Sequence, residues 1–300
     1  MESSEASALP SLGRAEWSRR YTLGILFAVY FVHMLDRSVL LVLLEPIRLE
    51  FALTDAQIAL LSGVGYALPF ALAGIPLGIL ADRSNRKRLL AVLVFTWSAF
   101  TALAGMARNF ALLLVTRAGV GASEAGAPPI IMSLIADVFP AATRAGAVSV
   151  IYVAPLLGVM AGSAVGGAAA AVYGWRGALT LAALPGVLLA LVIAVTLREP
   201  QRGALETTAT KAGGRAPLAQ AVELILKPGR FRSSFLAIVA ASVVSIGIMS
   251  WFAVLLIRVH GLSVKEAGLA SALAGGLLGG LGSLAGGWIA NRRLKGRSSA

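Results

Sequence analysis

The sequence predicts an all-α integral membrane protein, a bundle of transmembrane helices. Of its 300 residues, 58% are hydrophobic and only 13% charged, with a mean hydropathy of +0.83. A soluble domain carries about twice that share of charge. Eight runs are apolar over the ~20 residues that a helix needs to cross a bilayer: 21–44, 56–81, 89–107, 110–135, 145–173, 177–197, 233–257 and 267–290. Third, the charged residues gather between the runs. The chain has no cysteine and two histidines, which leaves no disulfide, no thiolate metal site and no His-based metal cluster to expect. No cofactor is expected either.

Residues 1–20 are polar and lack the apolar stretch and small-residue cleavage site of a signal peptide, so the first run reads as a spanning helix. Orientation follows from the basic residues, which resist translocation. With the N-terminus inside, 19 Lys and Arg fall in inside segments and five in outside loops, while Arg37 and Arg117 lie within runs. Both ends are therefore expected in the cytoplasm, in a multi-pass protein of the inner (plasma) membrane. This bias also accounts for the net charge of +12 without any nucleic acid partner. Residues 198–232 form the long polar connection, ending in a segment suited to an amphipathic surface helix. The expected organisation is a cytoplasmic N-terminal segment (1–20), an N-terminal six-helix bundle (21–197), a cytoplasmic linker (198–232) and a partial second bundle of two helices (233–300).

An internal repeat supports the two-part division. "LTDAQIALLS" from Leu53 matches "LSVKEAGLAS" from Leu262, and "GILADR" from Gly78 matches "GWIANR" from Gly287, both at an offset of 209 residues. Thr54/Gln57 and Ser263/Glu266 read as capping boxes opening equivalent helices. Parallel repeats joined by a linker are an architecture of secondary transporters. Six runs precede the linker and two follow it, so the repeat leads us to expect a chain truncated after its eighth transmembrane helix.

Ionisable groups at membrane depth cost ~2.5–3.5 kcal/mol or more and mark function by default. Runs one and four hold His33, Asp36, Arg37, Arg117 and Glu124. At 1.5 Å per residue, Asp36 lies ~22 Å from one end of its run and Arg117 ~11 Å from the other end of its own, which is a similar level. Arg117, Gly121 and Glu124 share one helical face. Asp36 and Glu124 are candidate proton or cation acceptors, with Arg37 and Arg117 as counter-charges or anchors for an anionic group. A static buried network is the competing reading. His33 shares the face of Asp36 and has either a titrating or a packing role.

Two further constellations stand out. In "GIPLGILADRSNRKR", Gly74 and Gly78 form a small-xxx-small pair suited to close helix approach, followed by Asp82, Arg83 and Arg86. In the fifth run, Pro155, Gly158, Gly162 and Gly166 form a stripe for close packing or for sliding.

Together these motifs resemble the major facilitator superfamily (MFS), and the first 200 residues resemble its Spinster-like branch. The match lies in "MLDRSVL", "GILADRSNRKR", "RAGVGASEAG", "DVFPAATRAG" and the glycine stripe with Pro155. The resemblance implies an MFS-type bundle whose central cavity is lined by Asp36, Arg37, Arg117 and Glu124, with the carboxylates in proton coupling. It also implies a gating role for Asp82, with Asp137 and Arg144 in a companion loop motif. Asn291 replaces the second loop aspartate, which removes that charge switch.

The expected function is secondary active transport of a small organic or lipid-like solute by alternating access, coupled to protons. Lipid-like substrates are implied by the branch alone. The alternative is an incomplete, non-transporting membrane fragment that packs or dimerises through exposed helices. The sequence leaves oligomeric state open. An intramembrane enzyme is disfavoured: Ser123 beside Glu124 has no positioned base, and no phosphate-binding loop is present.

Overall fold

The computed structural model describes residues 9–203, 205, 229–282 and 285. All of its elements are helical. The first helix, α1 (Leu9–Phe51), runs past the expected end of the first crossing and carries Pro46 within it. Next come α2 (Asp55–Ser62) and α3 (Val64–Arg83), separated by the non-helical Gly63. Asn85 caps α4 (Arg86–Gly105) by accepting from the Arg88 N–H at 2.8 Å. The pair α5 (Phe110–Glu124) and α6 (Ala127–Val138) is joined through Ala125 and Gly126, both still in helical conformation.

The helix α7 (Ala141–Thr196) is 56 residues long, or ~84 Å, far more than one bilayer core. Gly174, at φ 68°, breaks it. Only glycine takes this conformation without strain, so the fifth and sixth runs turn back on each other there. After the undescribed part of the linker, α8 (Arg230–His260) ends on the left-handed Gly261. It is followed by α9 (Val264–Ser271) and a π-helical segment, Ala272–Leu278. Both capping boxes form. At the second, the Ser263 hydroxyl and backbone N–H bond the Glu266 carboxylate and hold it below its usual range. The Gly287–Arg292 copy of the loop motif, with Asn291, lies outside the described residues. So do most of the linker and residues 1–8.

Five described stretches are long and apolar enough to cross a membrane: Ser18–Phe51, Asp55–Arg83, Arg86–Gly105, Ala141–Thr196 and Arg232–His260. The core lies where α1, α4, α5, α6 and α7 meet. Leu26, Leu90, Trp97, Ile130, Ile131 and Ile193 fill one half, and Leu43, Ile47, Ile58, Leu113 and Leu179 the other. The long α1 and α7 touch almost backbone to backbone. A Cβ at Gly158 would fall 2.4 Å from the Phe31 carbonyl oxygen, and one at Gly162 2.4 Å from that of Leu35. Gly166 meets Val39. The stripe thus faces α1, with Pro155 a turn before it in the same helix. The neighbouring Gly167 faces the other way, toward Val264 and Gly268 of α9.

Expectation and structure part at Gly74 and Gly78. No described residue lies within 4 Å of a Cβ built at either. They sit on a face of α3 where Leu68, Leu72, Ile75 and Ile79 are exposed. The close helix approach expected there is not made by any described element.

Candidate functional site

Consecutive residues on a helix are rotated by about 100°, so Asp36 and Arg37 point in different directions from α1. Asp36 turns inward and is 3% exposed. Thr101 of α4 donates its hydroxyl to Asp36 Oδ2 at 2.7 Å. Asp36 and Arg117 line one small cavity with Thr101, Thr116 and apolar neighbours from α1, α5 and α7. Its space for water centres is about 20 Å³, room for about one water.

Arg37 turns toward α8. It lines a second cavity, about 170 Å³, with Met34, Ser38 and Leu41 of α1, Val159 of α7, and Ser245, Ile246, Met249 and Ser250 of α8. This space has one guanidinium, several hydroxyls and otherwise apolar walls, a chemistry suited to an amphipathic anion.

Glu124 lies between α1, α3 and α5 and is fully buried. Tyr66 of α3 donates its hydroxyl to Glu124 Oε2 at 2.6 Å. His33 Nε2 is 3.1 Å from the same oxygen, at ion-pair distance but off the line of a hydrogen bond. Arg117 lies over the Tyr66 ring at 4.5 Å, and Arg37 over it at 4.8 Å. The shared face of Arg117, Gly121 and Glu124 is therefore the face laid along Tyr66. Gly121 permits this, since a Cβ there would sit 2.4 Å from the Tyr66 carbonyl oxygen.

Several buried polar atoms of this cluster have no hydrogen-bond partner: Asp36 Oδ1, Glu124 Oε1, His33 Nδ1, Trp97 Nε1, and Nε and Nη2 of Arg117. Buried polar groups are nearly always satisfied. Such a concentration in one place marks a region built for exchange rather than for stability. Tyr66 and Thr101 were not singled out from the sequence. A polar-tipped side chain in an apolar run was the one available signal.

At the end of the bundle carrying Arg83 and Arg86, Arg86 is buried. It binds Asp137 at 2.5 Å, Glu199 at 2.8 Å and Ser133 at 2.8 Å. Arg202 donates to the backbone carbonyls of Ala81, Asp82 and Ser84, and Gly203 N–H donates to Asp137 Oδ1 at 3.0 Å. Residues 199–203 thus strap the ends of α3, α4 and α6. Arg144 meets the carbonyls of Ala136 at 2.7 Å and Phe139 at 3.4 Å. Arg83 closes the last turn of α3.

The opposite end holds a second charge cluster, unforeseen in the sequence. Glu45, its side chain 4% exposed, takes Arg48 at 2.7 Å and Arg258 of α8 at 2.7 Å, and Arg258 also reaches Asp55 at 2.8 Å. Near this end Ser250, Ala253 and Val254 of α8 are buried, whereas residues 232–247 are exposed. So α8 is fastened at one end and splayed at the other. Among the described residues no group of three His, Asp or Glu could hold a metal.

An all-helical bundle with charged groups lining interior cavities, built from spans of this length, defines a multi-pass membrane protein of the transporter class. The Major Facilitator Superfamily profile matches residues 26–299, and the chain belongs to that family, in its Spinster-like branch. The MFS-type efflux pump of Mycolicibacterium smegmatis is 30% identical over 285 residues, covering 93% of this chain and 63% of the relative. Protein spinster homolog 1 of Xenopus laevis is 34% identical over 185 residues, covering 61% of this chain and 35% of the relative. The crystal structure of a bacterial homolog of the human lysosomal transporter Spinster, inward-facing and unoccupied, matches with a TM-score of 0.82 at 32% identity. That match covers 92% of this chain and 63% of the other. The chain thus spans between 35% and 63% of the length of these relatives.

Proposed function

We propose that the protein is a proton-coupled secondary transporter of a small amphipathic anion, working by alternating access with both ends cytoplasmic in the plasma membrane. One observation carries this reading. Arg37 opens onto a cavity shared by α1, α7 and α8, while its neighbour Asp36 and nearby Glu124 are buried behind it. Solute charge and proton charge then have separate but adjacent seats.

The gates fit the same reading. The 21–197 helices form one body and α8 with α9 begin the second, joined by the 198–232 linker. The cluster of Glu45, Arg258 and Asp55 ties the two at the outer end, and α8 stands away at the cytoplasmic end. This is an inward-open arrangement, the state named for the bacterial Spinster homolog. In the outward-open state Asp82, Gly74 and Gly78 would meet the other body.

The test is efflux of labelled octanesulfonate from proteoliposomes under an imposed pH gradient. Efflux should follow the gradient, and Asp36→Asn or Glu124→Gln should remove that dependence. Gradient-driven efflux that survives in both variants overturns the proton role. No efflux from a folded, monodisperse chain favours the second reading, a non-transporting fragment that packs or dimerises. That reading draws on the exposed apolar surface of α8, including Leu236, Ile238, Val243 and Val244.

A further inference from the structure

One neutral side chain joins the charged parts of the site. Tyr66 is 3% exposed. Its hydroxyl holds Glu124, and its ring lies against both guanidinium groups. Of these, Arg37 faces the larger cavity and Arg117 the smaller. Tyr66 is thus the described residue through which the solute-facing cation and the buried carboxylate are in contact.

The groups around Glu124 come from three helices. From α1 come His33, Asp36 and Arg37, from α3 Tyr66, and from its own helix Arg117. Against His33 and Asp36, α4 presents the neutral Trp97 and Thr101. Tyr30 packs on His33 at 5.7 Å, with Tyr152 of α7 beyond it.

We propose that Tyr66 is the positioning residue through which an anion on Arg37 sets the proton occupancy of Glu124. This rests on the proton-coupled reading above. The Arg37 charge and the Tyr66 hydroxyl both favour ionised Glu124. An anion that neutralises Arg37 and draws it off the ring removes part of that support. Glu124 then accepts a proton from solution at a carboxylate oxygen. Linkage is reciprocal, so protonation tightens anion binding by the same factor. The ring sets the distance between the two events. The hydroxyl sets the pH at which they trade.

The test is calorimetric binding of octanesulfonate, whose charge does not titrate, to the full chain in phospholipid nanodiscs across a pH series, with empty nanodiscs subtracted. Wild-type binding should strengthen as pH falls, with protons taken up on binding. Tyr66→Phe keeps the ring and removes the donor. Its limiting affinity should stay within about twofold, while the pH midpoint moves up by about one unit, the size of one hydrogen bond to a charged group. Tyr66→Leu should also lose most of the proton uptake. If the Phe variant keeps the wild-type midpoint and uptake, Tyr66 has no coupling role and the proposal fails alone. If wild-type binding is itself independent of pH, the proton-coupled reading fails and takes the proposal with it.

Discussion

At Gly121 the polypeptide has no room for a methyl group. A Cβ there would meet a backbone carbonyl, that of Tyr66, rather than a movable side chain. Gly121→Ala should therefore cost about 1–3 kcal/mol, the usual penalty of overpacking, read as a fall in the melting temperature of the purified chain. Gly74→Ala, facing open space, should be neutral or stabilising by up to ~1 kcal/mol, since alanine is the better helix former. Equal losses at both positions would show that the Tyr66 contact is not the cause. Asp36, Arg37, Arg117 and Glu124 were visible in the sequence because an ionised group in an apolar run is expensive and so conspicuous. Tyr66 and Thr101 are neutral, and their partners lie 58 and 65 positions away. Pattern within one helix could place Arg117, Gly121 and Glu124 on one face. It could not say what that face touches.

The element that moves is α8. The fastening at Glu45 joins α8 to α1, and Asp55 adds the start of α2. Exposed ion pairs contribute little, but Glu45 is buried and serves two arginines at once. Glu45→Gln should loosen this end and shift the equilibrium toward the other opening. The chain has no cysteine, so a single Ser38→Cys probe reports access to the larger cavity. A membrane-impermeant thiol reagent added outside should label it several-fold faster in the Glu45→Gln background. An unchanged rate would remove the gate assignment. This cluster was illegible beforehand because Arg48, Asp55 and Arg258 each read as ordinary loop charges. Their meeting depends on α1 continuing as helix to Phe51 and on α8 docking beside it. The spans themselves were legible, because a bilayer dictates their length. The breaks were not all legible. Gly174 turns α7 without any loop, and the α5–α6 pair bends at Ala125 and Gly126 with helical backbone throughout.

For the whole molecule, the distribution of basic residues sets the expected topology. Green fluorescent protein fused after Gly203 should fluoresce, and alkaline phosphatase at Arg108 should be active, if the linker is cytoplasmic and the loop at Arg108 external. The reverse pattern would overturn the orientation and rename both gates. The repeat at an offset of 209 residues gave the two-body division its only sequence support. It rested on capping boxes, which form by local chemistry and so are readable locally.

Finally, α1 is a partition with a proton seat on one side and a solute seat on the other, one residue apart. Its rotational setting is locked where the backbones of Phe31 and Leu35 meet Gly158 and Gly162. Substitution can alter what stands in either seat. Adding or deleting one residue between Leu35 and Asp36 would turn everything beyond the lock by about 100°, exchanging the two compartments' contents while leaving composition, hydropathy and topology untouched. Variation in this stretch should therefore tolerate exchanges of residue but no change of length.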